Sequence, residues 1–210
     1  MEIERYEFNK STVDFTAFFG NALPDMAVVC RDYAKTVALL CEKGLTLSSA
    51  ESCTGGYIGK LITDVSGSSA VYNGGVISYV NEVKKGLLGV KDETIEKYTE
   101  VSFEAAAEMA EGVRDLTKSD VAVSTTGFAG PLGGNENDPV GCVYIGISTP
   151  EKVVVIRALL ERKDFDREKV RLGAAHIAVR VLCEMLTKNN KKTEFKHKSA
   201  KSLKKIQIKT

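Results

Sequence analysis

Apolar residues along the chain switch between two spacings, and the switches divide it into helices and strands. Met26, Val29, Tyr33, Val37, Leu40 and Cys41 recur at helical spacing over residues 25–43, and Gly44 suits the left-handed position just past a helix end. "LTLSS" reads as a short strand running into "AESCTGG" (50–56), after which "GGYIGKLITDV" resumes helical spacing and stops at the turn "SGSS". "VYNGGVISYV" predicts a strand and "NEVKKGLLGV" a short helix with Asn81 as its N-cap; a second short helix follows "KDE". Ser102 is a suitable N-cap for the helical stretch "FEAAAEMAEGVRDL". "DVAVSTT" is a buried-type strand, "GFAGPLGGNENDPVG" a long Gly-rich loop, and "CVYIGIST" with "KVVVIRALL" a hairpin-like pair. A last helix over 165–187 sets Val170, Ala174, Ile177, Val181 and Met185 on one face.

Helices alternating with strands, followed by a hairpin, predict an α/β fold, a three-layer α/β/α sandwich with a mixed, largely parallel sheet. We divide the chain into an N-terminal extension (1–25), a domain (26–187) and a basic tail (188–210) expected to be disordered. Residues 1–23 show weak periodicity and an aromatic cluster of Phe15, Phe18 and Phe19, so no element is assigned there.

Composition narrows the chemistry. With 210 residues, 43% of them hydrophobic, the chain can bury one sizeable core. No apolar run approaches the roughly 20 residues that span a bilayer, and "MEIERYEFNK" lacks the apolar segment of a signal peptide. Five cysteines (Cys30, Cys41, Cys53, Cys142, Cys183) without a CxxC pair argue for reduced thiols in a cytoplasm and against a zinc site. His176 and His197 are the only histidines, which disfavours a Ser-His-Asp triad. The net charge of +1 hides an asymmetry: residues 188–210 carry nine lysines against one glutamate, leaving the remainder acidic. A solvated tail is expected, and neither nucleic acid nor membrane is an expected partner.

Three hydroxyl or thiol groups before two glycines invite three readings. A phosphate-binding Walker A loop needs Gly-x₄-Gly-Lys-Ser/Thr, but Thr54 stands at the first glycine position and Leu61 at the hydroxyl position, so that reading is rejected. Spacing then leaves a helix cap or a nucleophile, Ser52, at a strand-to-helix turn. There, free N–H groups at the helix mouth favour an oxyanion, and Gly55 and Gly56 permit close approach. A serine nucleophile needs a base. Lys84 in the first turn of the helix after "SYV" can serve, its pKa lowered by the helix dipole and partial burial, with Tyr79 to orient the serine or relay a proton. On the residues alone the stronger reading is Tyr79 as a sheet residue and Lys84 as a surface lysine beside Lys85.

"AESCTGG", "DVSGSSAVYNGGVISYVNEVK", "VS" at 101–102, "TGFAGP" at 126–131 and "PVGCVYI" at 139–145 together resemble the CinA C-terminal domain family, whose stand-alone members are nicotinamide-nucleotide amidohydrolases of the PncC type. The resemblance spans residues 26–187. It implies Ser52 as nucleophile, Lys84 as base and Tyr79 as assisting hydroxyl, hydrolysing the carboxamide of nicotinamide mononucleotide without metal or cofactor, in a homodimer. It implies a substrate site of Cys53, Thr54, Gly55, Gly56, Thr126, Gly127, Phe128, Ala129, Gly130 and Arg167. Cys53 is the rival nucleophile, but no histidine is there to pair with it. Phe128 departs from the family's usual aliphatic residue. Arg167 and Arg171 share a helix face, where ion pairing with Asp164 or Glu168 is expected ahead of a phosphate contact. A Ser-Lys hydrolase of another amide and a non-catalytic, competence-associated nucleotide-binding module are the alternatives.

Overall fold

The computed structural model describes residues 6–14, 19, 22–161 and 163–188; of the basic tail, everything from 189 onward lies outside the described residues. Six strands form one sheet: β1 (Tyr6–Asp14), β2 (Leu47–Glu51), β3 (Tyr72–Ile77), β4 (Val121–Gly127), β5 (Cys142–Ser148) and β6 (Val153–Leu159), in the order β1-β6-β5-β4-β2-β3. The helices are α1 (Met26–Lys43), α2 (Tyr57–Thr63), α3 (Asn81–Leu88), α4 (Asp92–Tyr98), α5 (Phe103–Thr117) and α6 (Arg167–Lys188). β2 runs parallel to both β3 and β4, β5 runs antiparallel to β4 and β6, and β1 is parallel to β6. The sheet is therefore mixed, with three parallel pairings of five, as the sequence pattern predicts.

The strand β1 falls in the segment where the sequence pattern assigns no element. Its apolar alternation, Tyr6 then Phe8, lapses after Asn9, where its register against β6 shifts before pairing resumes at Thr12. A strand with such an irregularity is held by its neighbour's backbone and carries little period-2 signal of its own. Elsewhere the local chemistry acts as expected. Gly44 closes α1 at φ 62°, and the Ser102 hydroxyl accepts from the Ala105 N–H at 3.1 Å; Asp25, which the sequence pattern does not single out, caps α1 by accepting from the Val28 N–H at 2.9 Å. One cap differs: α3 begins with Asn81 already inside the helix, and Val80 stands at its N-cap without a side-chain bond.

Helices α1, α2 and α6 cover one face of the sheet; α5 covers the other, with α3 and α4 outside it. Leu47, Ile145, Ile147 and Ile177 lie fully buried in the core between the sheet and α1 and α6, each adding about 1.5–3 kcal/mol of transfer free energy. The chain leaves β2 for α2 on the first face and leaves β3 for α3 towards the second. The carboxyl ends of β2, β3 and β4 thus border a crevice, the place where open α/β sheets hold ligands.

The loop 127–141 closes one side of that crevice and is tied down at Asp138. This carboxylate accepts from Cys142 Sγ at 3.2 Å, Tyr144 Oη at 2.9 Å and Arg157 Nε at 3.0 Å. Burial alone would raise its pKa, but these donors outweigh it and hold the carboxyl below its ordinary range. A depressed pKa stabilises the fold above the unfolded value and loses that effect as pH falls through the folded one. Asp138→Ala is expected to cost roughly 1–3 kcal/mol in urea unfolding at neutral pH. The cost should shrink as the pH is lowered below about 4, where the unfolded carboxyl takes up its proton.

Candidate active site

Ser52 continues β2 by one residue: its N–H donates to the Thr125 carbonyl at 2.9 Å, and the chain then turns into α2. Ser78 does the same for β3, donating its N–H to the Glu51 carbonyl at 2.9 Å. From there α3 folds back along the sheet edge and presents Lys84 and Leu88, one helical turn apart, as its buried residues. Gly112 in α5 allows this, because a Cβ there would overlap the Leu88 backbone carbonyl and push α3 away. Lys84 is 1% exposed and Ser52 8%. Lys84 Nζ lies 3.2 Å from Ser52 Oγ and donates to the Ser78 carbonyl at 2.9 Å.

These surroundings disfavour an ammonium. Desolvation lowers the Lys84 pKa, opposed by the negative charges of Glu100 and Glu82. An ammonium has three N–H donors, and among the described residues Lys84 has two partners, neither of them a carboxylate. The lowered pKa makes the neutral amine more accessible than in an exposed lysine, and Nζ lies within hydrogen-bond reach of both the Ser78 carbonyl and the Ser52 hydroxyl. Cys53, by contrast, is 5% exposed, and burial pushes its thiol up to about 12, so at neutral pH it is no thiolate.

One expectation fails here. The N–H groups at the mouth of α2 do not await an oxyanion, because the buried carboxylate of Glu51 already occupies them. Oε2 accepts from the N–H groups of Gly56 and Ile58 at 3.0 Å each and from Thr54 Oγ1 at 2.8 Å; Oε1 accepts from the Gly59 N–H at 2.9 Å and Ser49 Oγ at 3.1 Å. The helix mouth therefore serves the protein's own anion. Thr54, held by Glu51 and by Thr125 Oγ1 at 2.7 Å, is structural. Arg171 braces the same turn, donating from Nε and Nη2 to the Thr54 carbonyl at 3.2 and 2.9 Å while stacking on Tyr57. Gly55 leaves room for that guanidinium, since a Cβ would come within 2.8 Å of Nη2.

Beside Ser52 and Lys84 opens a cavity of about 250 Å³. Of the expected substrate residues, Cys53, Thr126, Gly127, Phe128, Ala129 and Arg167 line it; Thr54, Gly55, Gly56 and Gly130 do not. Arg167 sits at the cavity, donating from Nη1 to the Gly130 carbonyl at 2.7 Å and from Nη2 to the Tyr79 hydroxyl at 2.8 Å. Among the described residues the contacts of the two arginines differ from the expected ion pairs: Arg167 faces the cavity and Arg171 the turn after Ser52. Tyr79 lines the cavity but is 59% exposed, and its hydroxyl is bonded to Arg167 instead of Ser52 or Lys84. The Thr126 hydroxyl is also engaged, donating to the Glu100 carbonyl at 2.6 Å. Val101, part of the "VS" pair at 101–102, completes the lining together with Glu100 and Leu132, which are not among the expected site residues. A larger cavity, about 540 Å³, lies between α1 and α6 and includes Asp32, Lys35, Arg180 and Glu184, but it holds no paired nucleophile and base. His176 is buried with Nε2 2.7 Å from Asp32 Oδ2, away from the residues that line the smaller cavity. Among the described residues no group of three His, Cys, Asp or Glu is arranged to hold a metal ion.

The family model described as CinA C-terminal domain matches residues 32–186, which takes in Ser52, Lys84, the Gly-rich loop and Arg167. The chain belongs to the CinA C-terminal domain family. It is 45% identical over 151 residues to a CinA-like protein of Leptospira borgpetersenii serovar Hardjo-bovis, a match covering 72% of this chain and 36% of the relative. It is 53% identical over 135 residues to a Thermoanaerobacter protein whose name refers to competence-damage inducibility, covering 64% of this chain and 32% of that one. The chain thus matches about a third of the length of these curated relatives. Among solved structures it is similar to the competence/damage inducible protein CihA of Agrobacterium tumefaciens, with TM-score 0.72 and 33% identity over 76% of this chain and 95% of that one. A CinA superfamily protein of Escherichia coli gives TM-score 0.69 and 28% identity, covering 79% and 96%. The CinA fold is therefore shared, and no helix among the described residues is long and apolar enough to cross a membrane.

Within this CinA domain the Glu51 contacts predict a large stability effect without any contact to substrate. Glu51→Ala leaves buried N–H groups without an acceptor and should cost about 3 kcal/mol or more in chemical unfolding. Glu51→Gln, which keeps one accepting oxygen, should fall between the alanine variant and the native protein.

Proposed function

We propose that this domain hydrolyses the carboxamide of nicotinamide mononucleotide to nicotinate mononucleotide and ammonia, through a Ser52–Lys84 dyad. The observation that carries this reading is the buried Lys84 amine, 3.2 Å from the Ser52 hydroxyl and without a carboxylate partner. Ser52 Oγ gives its proton to the neutral Lys84 amine as it attacks the carboxamide carbon. The tetrahedral adduct collapses with cleavage of the C–N bond, and the Lys84 ammonium returns the proton to the departing ammonia. Water then enters, passes a proton to Lys84 and attacks the ester carbon, releasing the carboxylic acid and restoring Ser52.

With α2 closed by Glu51, stabilisation of the oxyanion falls to groups that line the cavity. The guanidinium of Arg167 suits the phosphate of the nucleotide or the oxyanion, and Tyr79 holds that guanidinium in place, so the proton path in this mechanism runs through Lys84 alone. Phe128, Ala129 and Leu132 supply an apolar wall for an aromatic ring.

Ammonia release from nicotinamide mononucleotide tests the proposal. Ser52→Ala and Lys84→Ala should each lower kcat by about 10³-fold or more, whereas Cys53→Ala should keep activity within a few-fold of native. Because the neutral amine is the active form, the rate should rise with pH through a midpoint below the ordinary lysine value of 10.5. Release of ammonia only from other amides would favour a different Ser-Lys hydrolase. Tight nucleotide binding with no release by any form would favour a binding module.

A further inference from the structure

Among the described residues, Glu100 is the one acidic residue that lines the cavity of Ser52 and Lys84. It is half-buried in the segment between α4 and α5, and its backbone is fixed from both sides. Thr99 before it stands at φ 67°, a conformation that β-branched residues rarely adopt, with Oγ1 bonded to the Val101 backbone at 3.3 Å. Thr126 donates to the Glu100 carbonyl at 2.6 Å, and two residues later Ser102 caps α5. The carboxylate itself makes no hydrogen bond or ion pair with any described residue, although its charge acts on Lys84 more strongly than that of Glu82 on Lys84's own helix. A carboxylate among the cavity-lining residues with no partner among the described residues is available to a cationic group that enters there.

The cavity lining thus carries both signs of charge: the Arg167 guanidinium offers an anion site, Glu100 offers a cation site, and Phe128, Ala129 and Leu132 supply apolar surface. We propose that Glu100 is a specificity-determining residue whose carboxylate meets the positively charged ring nitrogen of the substrate, so that the site selects carboxamides carried on a cationic heterocycle over neutral counterparts. The inference rests on the amidase reading for the substrate, but the ring-charge preference is separable from turnover. It gives the buried lysine and the acid different duties: Lys84 handles the proton, and Glu100 selects the ring that enters the cavity.

Binding in a Ser52→Ala background isolates the effect, because nothing is consumed. Calorimetry at neutral pH would compare nicotinamide mononucleotide with its dihydro form, which has the same carboxamide, ribose and phosphate but an uncharged ring. Adding Glu100→Gln should weaken binding of the cationic form by about five- to tenfold and leave the neutral form within twofold. Equal weakening of both forms, no change in either, or no binding of either would overturn the proposal. In the otherwise native enzyme, Glu100→Gln should also move the acid limb of the rate profile to lower pH, since removing a negative charge makes Lys84 easier to deprotonate. A purely structural role moves neither the ring preference nor that limb. If the native protein releases no ammonia from the mononucleotide, the amidase reading fails while the binding comparison still decides the role of Glu100.

Discussion

A lysine amine buried against a serine hydroxyl is the constraint around which this domain is built. Burying an ammonium without a counter-charge is among the costliest things a fold can do. Among the described residues Lys84 Nζ meets a carbonyl and a hydroxyl and no carboxylate in direct contact, and burial accordingly lowers its pKa. Three separate elements must agree for this to hold. β3 ends where Ser78 can present its carbonyl, α3 folds back close to α5 because Gly112 has no side chain, and β2 ends where Ser52 can meet the amine. Small errors in any of the three would let water reach the lysine and restore its ordinary basicity.

The nucleophile turn is held by a different device. A helix mouth beside Ser52 would ordinarily suit an anion, yet here Glu51 fills it with the protein's own charge. The exchange makes physical sense: five donors on one buried carboxylate lock the backbone of residues 54–59, while Arg171 holds the turn from the other side. Glu51 and Arg171 brace the turn after Ser52, while Arg167 and Glu100 stand on the cavity side with residues of the 127–141 loop. Two arginines four residues apart on one helix face therefore serve opposite purposes.

How much of this can be read from the residues depends on the range of each interaction. The Ser102 cap, the hairpin of β5 and β6 and the helical spacing of α1 and α6 are local, and they are legible. The pairing of Ser52 with Lys84 joins residues 32 apart, and spacing alone favours two unrelated residues; only the family resemblance points to a dyad. One local hint is available, since Lys84 stands one turn before Leu88 on the face α3 turns inward. Glu51 and Glu100 carry no periodic signature, and their roles appear only when β2, α2, β4 and the segment before α5 converge. The hydroxyls of Thr54 and Thr126 mislead for the same reason: a polar residue beside a glycine turn suits either a ligand or a buried network, and tertiary contacts choose the network.

The state of one amine decides the account. Protein carrying ¹³C-labelled lysine, with Lys84 assigned by comparison with Lys84→Arg, allows the ε-carbon resonance to be followed by NMR as pH is varied. A midpoint clearly below 10.5, the ordinary value for lysine, is the expected result. A midpoint at or above that value would mean that Lys84 remains an ammonium beside Ser52, and the serine would have no base.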